Sequence, residues 1–191
     1  MSSPLSFDAS RALRVLRVRD WSYLMGIALL VFFRHPQAIE IGTVVSVVVF
    51  AAIYLCWGYV FNNSFDQQED DDRKNGFRAL GKSTTFAVTF GLSGLLITLA
   101  FFWGILLPTI AIMILNVAYS APPIRLKRFL APSLAANGLF FGFVYYAAAH
   151  LALGRVAPAD LAFAAFVFIL FLPLQYVHFL EHREEEGLAT E

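Results

Sequence analysis

STTFAVTFGLSGLLITLAFFWGILLPTIAIMILNVAYSAPPI, residues 83–124, contains no Asp, Glu, Lys or Arg. A bilayer's hydrocarbon core is about 30 Å thick and takes about 20 apolar residues of helix. At about 1.5 Å per residue one helix of this length would reach roughly 60 Å, so the stretch must hold two crossings. Phe101-Phe102-Trp103-Gly104 marks the reversal between them, because aromatics suit the membrane interface and glycine a tight turn. Other uncharged windows, from Ile41 to Phe61, Phe129 to Gly154 and Leu161 to Leu180, are each long enough for one crossing.

The whole chain has the same character. Its 191 residues are 59% hydrophobic, 16% aromatic and only 15% charged, where soluble domains carry about 25% charge. The formal net charge is zero, which gives no footing for a nucleic-acid partner. A sixth apolar segment, Trp21 to Phe33, is short for a crossing. Helix continuing back to Leu13 would lengthen it, with Arg14, Arg17 and Arg19 reaching toward lipid head groups. A secretory signal fits less well, because Arg34-His35-Pro36 follows without a small-x-small cleavage site. If this segment crosses, every basic residue except Arg34 and Arg155 falls on one face, which the positive-inside rule makes cytoplasmic.

The expected fold is therefore all-α: one multi-pass transmembrane helical bundle with spans at about 13–33, 41–61, 84–102, 104–120, 131–152 and 160–180. The protein is expected to be integral to the membrane, with both termini and the acidic loops cytoplasmic. On that face the glycosylation-like Asn62-Asn63-Ser64 is a chance match, and the single cysteine, Cys56, allows no intramolecular disulfide.

Three cytoplasmic loops could carry chemistry. After the second span, Asn62, Asp66 and Asp70 recur every fourth residue and share one face if the helix continues; Arg73 and Lys74 follow. Carboxylates repel phosphate unless a hard divalent cation bridges them, and Mg²⁺ prefers oxygen ligands. The bland reading is a solvated charged loop. After the fourth span, Tyr119-Ser120-Ala121-Pro122-Pro123-Ile124-Arg125-Leu126-Lys127-Arg128 holds a tyrosine and cations in a proline-restrained turn, alternatively a simple positive-inside anchor. After the sixth span, Glu181 and Glu185 have helical spacing, as do His178 and His182, although two histidines are too few for a closed transition-metal site. Inside the spans, Asn116 and Asn137 read by default as helix-to-helix hydrogen-bonding residues, and Asn137 could also face a cavity.

Asn62-x-x-x-Asp66-x-x-x-Asp70 with Arg73-Lys74-Asn75, followed by Tyr119-Ser-Ala-Pro-Pro-Ile-Arg-Leu-Lys127-Arg128 in this span order, closely resembles the UbiA superfamily of intramembrane prenyltransferases. The resemblance implies Mg²⁺ as cofactor, a prenyl diphosphate as donor and an aromatic or related lipid precursor as acceptor. It assigns Asn62, Asp66 and Asp70 to metal and donor binding, with Asp66 and Asp70 catalytic. Arg73, Lys74, Tyr119, Arg125 and Lys127 are expected to hold the diphosphate, and Glu181 and Glu185 to complete the metal site. Asn63 stands where many members carry aspartate, which lowers the local negative charge. The family usually has nine transmembrane helices, so the chain is expected to be a fragment holding the first six.

The competing classes are a small transporter and a noncatalytic half-domain that needs a partner. A transporter would place ionisable groups deep in its spans, and no Asp, Glu, Lys or Arg lies deep in spans two to six. An oligomer is compatible with either reading.

Overall fold

The computed structural model describes residues 16–66 and 81–185. All regular structure among them is helical: α1 (Val18–Trp21), α2 (Met25–Arg34), α3 (Ile41–Phe65), α4 (Gly81–Phe102), α5 (Leu106–Ser120), α6 (Leu130–Leu153) and α7 (Pro158–Glu185). Four helical stretches are long and apolar enough to cross a membrane: Ile41–Phe65, Ser83–Phe102, Leu130–Leu153 and Pro158–Val177. With no water in hydrocarbon to satisfy the backbone, continuous helix is the form such segments must take. Leu106–Ser120 is apolar but shorter.

Between α4 and α5 the chain reverses at Gly104, whose φ of 71° lies in the left-handed region open to glycine. The Ile105 N–H closes the turn onto the Ala100 carbonyl at 2.9 Å.

The N-terminal segment departs from the single helix expected over 13–33. It is built from α1, a 3-10 turn at Ser22–Leu24 and the 10-residue α2. Arg17 precedes α1 in the left-handed conformation (φ 49°), which interrupts any helix running through it. Its side chain does not reach toward lipid head groups. The guanidinium bonds Asp20 and donates to Asn63 Oδ1 at 2.6 Å, and it sits 5.7 Å from the centre of the Tyr59 ring. Asn63 is fully buried at the end of α3, so an inward hydrogen bond outcompetes exposure of Arg17. Arg14 lies outside the described residues.

At the far end of α2, His35 Nε2 is 2.8 Å and Arg34 Nε 3.5 Å from Asp160 Oδ1, and the Tyr145 hydroxyl donates to the same oxygen at 3.1 Å. Asp160 is only 1% exposed. Arg34 also lies over the Phe163 ring, 4.5 Å from its centre. Residues 17–35 thus run the height of the bundle, pinned to α3 at one end and to α6 and α7 at the other.

α6 is the hub, packing against α2, α3, α5 and α7. More than half of its apolar window, 56%, is buried, against 11% for α7 and 22% for α4, so those two present their outer faces to lipid. Small residues allow the closest contact. A Cβ at Gly138 would lie 2.6 Å from the Phe168 ring, and one at Gly142 would lie 3.1 Å from the Ala164 carbonyl oxygen. Two glycines four residues apart form a flat stripe on which α7 lies antiparallel. Nearer the core, Phe143 and Tyr54 rings pack at 5.1 Å, and Trp57 Nε1 donates to Ser93 Oγ at 2.8 Å, tying α3 to α4.

Two stability outcomes follow from this packing. Gly138→Leu is expected to cost about 1–3 kcal/mol by overpacking, while Gly91→Leu on α4, where nothing lies within 4 Å, leaves the unfolding midpoint in lipid unchanged. Asp160→Ala is expected to cost about 3 kcal/mol because it strips a buried charge from its partners. Tyr145→Phe should cost about 1 kcal/mol, the worth of one hydrogen bond, on the same assay.

Candidate functional site

The two sequence motifs meet at the end of the bundle where α3 and α5 stop and α6 begins. α3 ends at Phe65 and Asp66 caps it, its N–H 3.3 Å from the Asn63 carbonyl. Asn62 and Asp66, four residues apart, present their side-chain oxygens on one side. The helical register expected to carry on to Asp70 therefore stops at Phe65 among the described residues; Asp70, Arg73 and Lys74 lie outside them.

The loop between α5 and α6 supplies the opposite charge. After Ser120 the chain turns through the cis Pro122-Pro123 bond and reaches Arg125 in the left-handed conformation, φ 46°. Such a conformation costs a non-glycine residue roughly 1–2 kcal/mol. It is held by the Arg125 N–H on the Ala121 carbonyl at 3.1 Å and by Arg125 Nη2 on Asp66 Oδ1 at 3.1 Å. A 3-10 turn, Leu126–Arg128, then brings Lys127 Nζ onto Asp66 Oδ1 and within 3.5 Å of Asn62 Oδ1. Ser120 Oγ donates to the same Asn62 oxygen at 3.0 Å.

Asp66 and Arg125 are both buried, at 7% and 9% exposure, so their attraction is only weakly screened by solvent. Among the described residues two cations, Arg125 and Lys127, gather on Asp66, and cations placed together in this way suit a polyanionic ligand. The ammonium of Lys127, lying between Asn62 Oδ1 and Asp66 Oδ1, shows that these oxygens converge on one cation-sized position. They are the hard donors that a divalent metal such as Mg²⁺ takes. No cluster of three or more His, Cys, Asp or Glu occurs among the described residues. Any further ligands from Asp70, or from the side chains of Glu181 and Glu185, lie outside what is described, as do the side chains of His178 and His182. The backbone of α7 nonetheless runs through Glu185, antiparallel to α6 and toward this end of the bundle.

Tyr119 sits apart from the ion cluster. It lines a cavity of about 110 Å³ among α3, α5 and α6, together with Asn62, Asn116 and Asn137 and an aromatic and aliphatic wall that includes Tyr54 and Phe140. Its hydroxyl accepts from Asn137 Nδ2 at 3.1 Å, and its ring meets Phe140 edge-on at 5.6 Å. Asn62 belongs to both the charged cluster and the cavity wall, which makes the two parts of one site.

Sequence reading missed three contributors. Ser120 lies in the quoted motif, but only its bond to Asn62 gives it a role. Asn63 read as a lost charge, yet it is the buried partner of Arg17. Arg17 carried no local signal for its inward course, since its partner lies 46 residues away.

A family model, the UbiA prenyltransferase family, matches residues 21–190. The chain belongs to the UbiA prenyltransferase family. Nothing matched among curated proteins or solved structures. Membership of the UbiA family makes this an intramembrane prenyltransferase in general terms, and the buried charge cluster above an apolar, aromatic-lined cavity is architecture suited to that chemistry.

In this UbiA site, Asp66→Asn and Arg125→Ala are expected to be strongly coupled: their separate destabilisations should exceed that of the double variant by more than about 1 kcal/mol. A double-mutant cycle on the unfolding midpoint in lipid checks this, and additivity would show that the ion pair contributes nothing.

Proposed function

We propose that the protein transfers an isoprenoid chain from a prenyl diphosphate to an acceptor, an aromatic ring of a quinone or related lipid precursor, with Mg²⁺-assisted departure of diphosphate. The observation that carries this reading is the convergence of Asn62, Asp66, Arg125 and Lys127 beside a cavity whose wall includes Asn62. Asn62 and Asp66, with Asp70, are the residues that would hold the metal, and Glu181 and Glu185 would add ligands from α7. Arg73 and Lys74 would join Arg125 and Lys127 on the diphosphate.

The Mg²⁺ held there would supply positive charge to offset that developing on the leaving group. Arg125 and Lys127 add positive charge where the leaving diphosphate gathers its own. Because both are already held by Asp66, little reorganisation is needed at the moment of bond cleavage. Ser120 fixes the Asn62 amide so that its oxygen faces the cations. The prenyl carbon then becomes cationic in character, and the apolar wall keeps water from it. The acceptor ring forms the new carbon–carbon bond and loses a proton. Under this reading all six helical passes, including residues 17–35 and the short α5, cross the bilayer, and the Asp66 end faces the cytoplasm, as the distribution of Lys and Arg favours.

The reading is tested by binding of labelled geranylgeranyl diphosphate to the chain in lipid nanodiscs with and without Mg²⁺. Binding is expected to require Mg²⁺ and to fall at least tenfold in Asp66→Asn/Asp70→Asn. Equal binding by the two proteins would remove the support for these carboxylates as the donor site.

A further inference from the structure

The cavity wall holds a buried amide nitrogen that the donor chemistry leaves unused. Asn116 lines the cavity and is 5% exposed, and its Nδ2 has no hydrogen-bond acceptor among the described residues. The other two amides on that wall are engaged. Asn62 Oδ1 accepts from Ser120 and Lys127, and Asn137 Nδ2 donates to Tyr119 and to the Ser133 carbonyl, each at 3.1 Å. The default role of a membrane asparagine, a bond to a neighbouring helix, is thus filled by Asn137 and not by the Asn116 Nδ2. A buried donor without an acceptor is costly to keep, and leucine of similar size would avoid that cost.

Helix geometry sets the depth of this donor. Asn116 precedes Ser120 by one turn of α5 on the same face, about 6 Å further into the bundle than the level at which Ser120 meets Asn62. Diphosphate oxygens belong with Asp66, Arg125 and Lys127, above that level. An isoprenoid tail has no oxygen to offer an amide N–H. The remaining ligand of a prenyl transfer is the acceptor. Thr109 provides a useful contrast, because its Oγ1 is also buried without a partner among the described residues, yet it is not part of the cavity lining.

We propose that Asn116 Nδ2 donates a hydrogen bond to a carbonyl or hydroxyl oxygen on the acceptor's head group. The acceptor is then a ring bearing a hydrogen-bond-accepting oxygen, and hydrocarbon without such an oxygen is disfavoured in the cavity. This rests on the prenyl-transfer reading for the identity of the ligand, while the oxygen preference of the cavity can be measured separately.

The test uses acetophenone and α-methylstyrene, which share a shape but carry C=O and C=CH₂ respectively. Their binding to the full chain in lipid nanodiscs is compared by saturation-transfer NMR after subtraction of empty discs. The wild type is expected to prefer acetophenone by about tenfold, equivalent to about 1.4 kcal/mol. Asn116→Leu should abolish the preference, and Thr109→Val should retain it. The same preference in wild type and Asn116→Leu, or none in the wild type, overturns the proposal. If Asn116→Leu does not fold, Asn116→Ala carries the comparison. Failure of both to fold makes Asn116 a structural residue, bonded through buried water, and also overturns it. Mg²⁺-dependent geranylgeranyl diphosphate binding by the wild type is recorded in the same discs. Its absence, with an acetophenone preference that follows Asn116, sinks the donor reading and supports the oxygen site; its presence without that preference sinks only the oxygen site.

Discussion

A cation can stay buried at the end of an apolar bundle only where an anion shares its surroundings, and Asp66 meets that condition for Arg125 while also holding the half-buried Lys127. These partners lie 59 and 61 residues further along the chain. The ion cluster therefore fixes where α3 ends relative to the loop that leaves α5. The left-handed Arg125, the 3-10 turn that carries Lys127 and the alignment of Asn62 with Ser120 all depend on that register. Without Asp66, the like charges of Arg125 and Lys127 would repel each other more strongly.

A second carboxylate does comparable work at the opposite end. In hydrocarbon, apolar side chains gain nothing by leaving lipid for one another, so close packing and polar ties must hold helices together. Asp160 gathers Arg34, His35 and Tyr145 from α2, the residue after it and α6. Arg17 ties the start of the same segment to Asn63. Between these ends α6 supplies the close approach through Gly138 and Gly142. Polar anchoring at both ends and small residues between them make a rigid frame, on which the cavity wall and the ion cluster keep a fixed relation.

Much of this was legible in the sequence because it is local. Windows without charge become helices, and Phe101 to Gly104 surrounds the left-handed turn at Gly104. The four-residue spacing of Asn62 and Asp66 does place both oxygens on Lys127. What stayed hidden depended on distant pairing. Arginine beside an apolar segment reads as a head-group contact, and only the fold reveals that Asn63 draws Arg17 inward. Asp160 read as the start of a span. Its burial follows from an antiparallel register that brings Tyr145 alongside it and from a first segment long enough to deliver Arg34 and His35. Asn116 and Asn137 both read by default as helix-to-helix hydrogen-bonding residues, with Asn137 the one that could also face a cavity, yet both line it and, among the described residues, of the two amide nitrogens only that of Asn137 meets acceptors.

Under the proposed function, the pairing of opposite charges in the candidate site bears on how a polyanionic donor would be held. Cations waiting alone would bind diphosphate tightly in the ground state, but they would be costly to bury beforehand and would repel each other out of position. A carboxylate among them lowers that cost and holds their geometry, at the expense of some attraction for the incoming ligand. That attraction is better reserved for the separating bond, where charge on the diphosphate grows and fixed cations respond without rearrangement. Under the proposed function the same Asp66 that orders these cations would also serve the metal, because both roles ask only for an oxygen anion held at the end of α3.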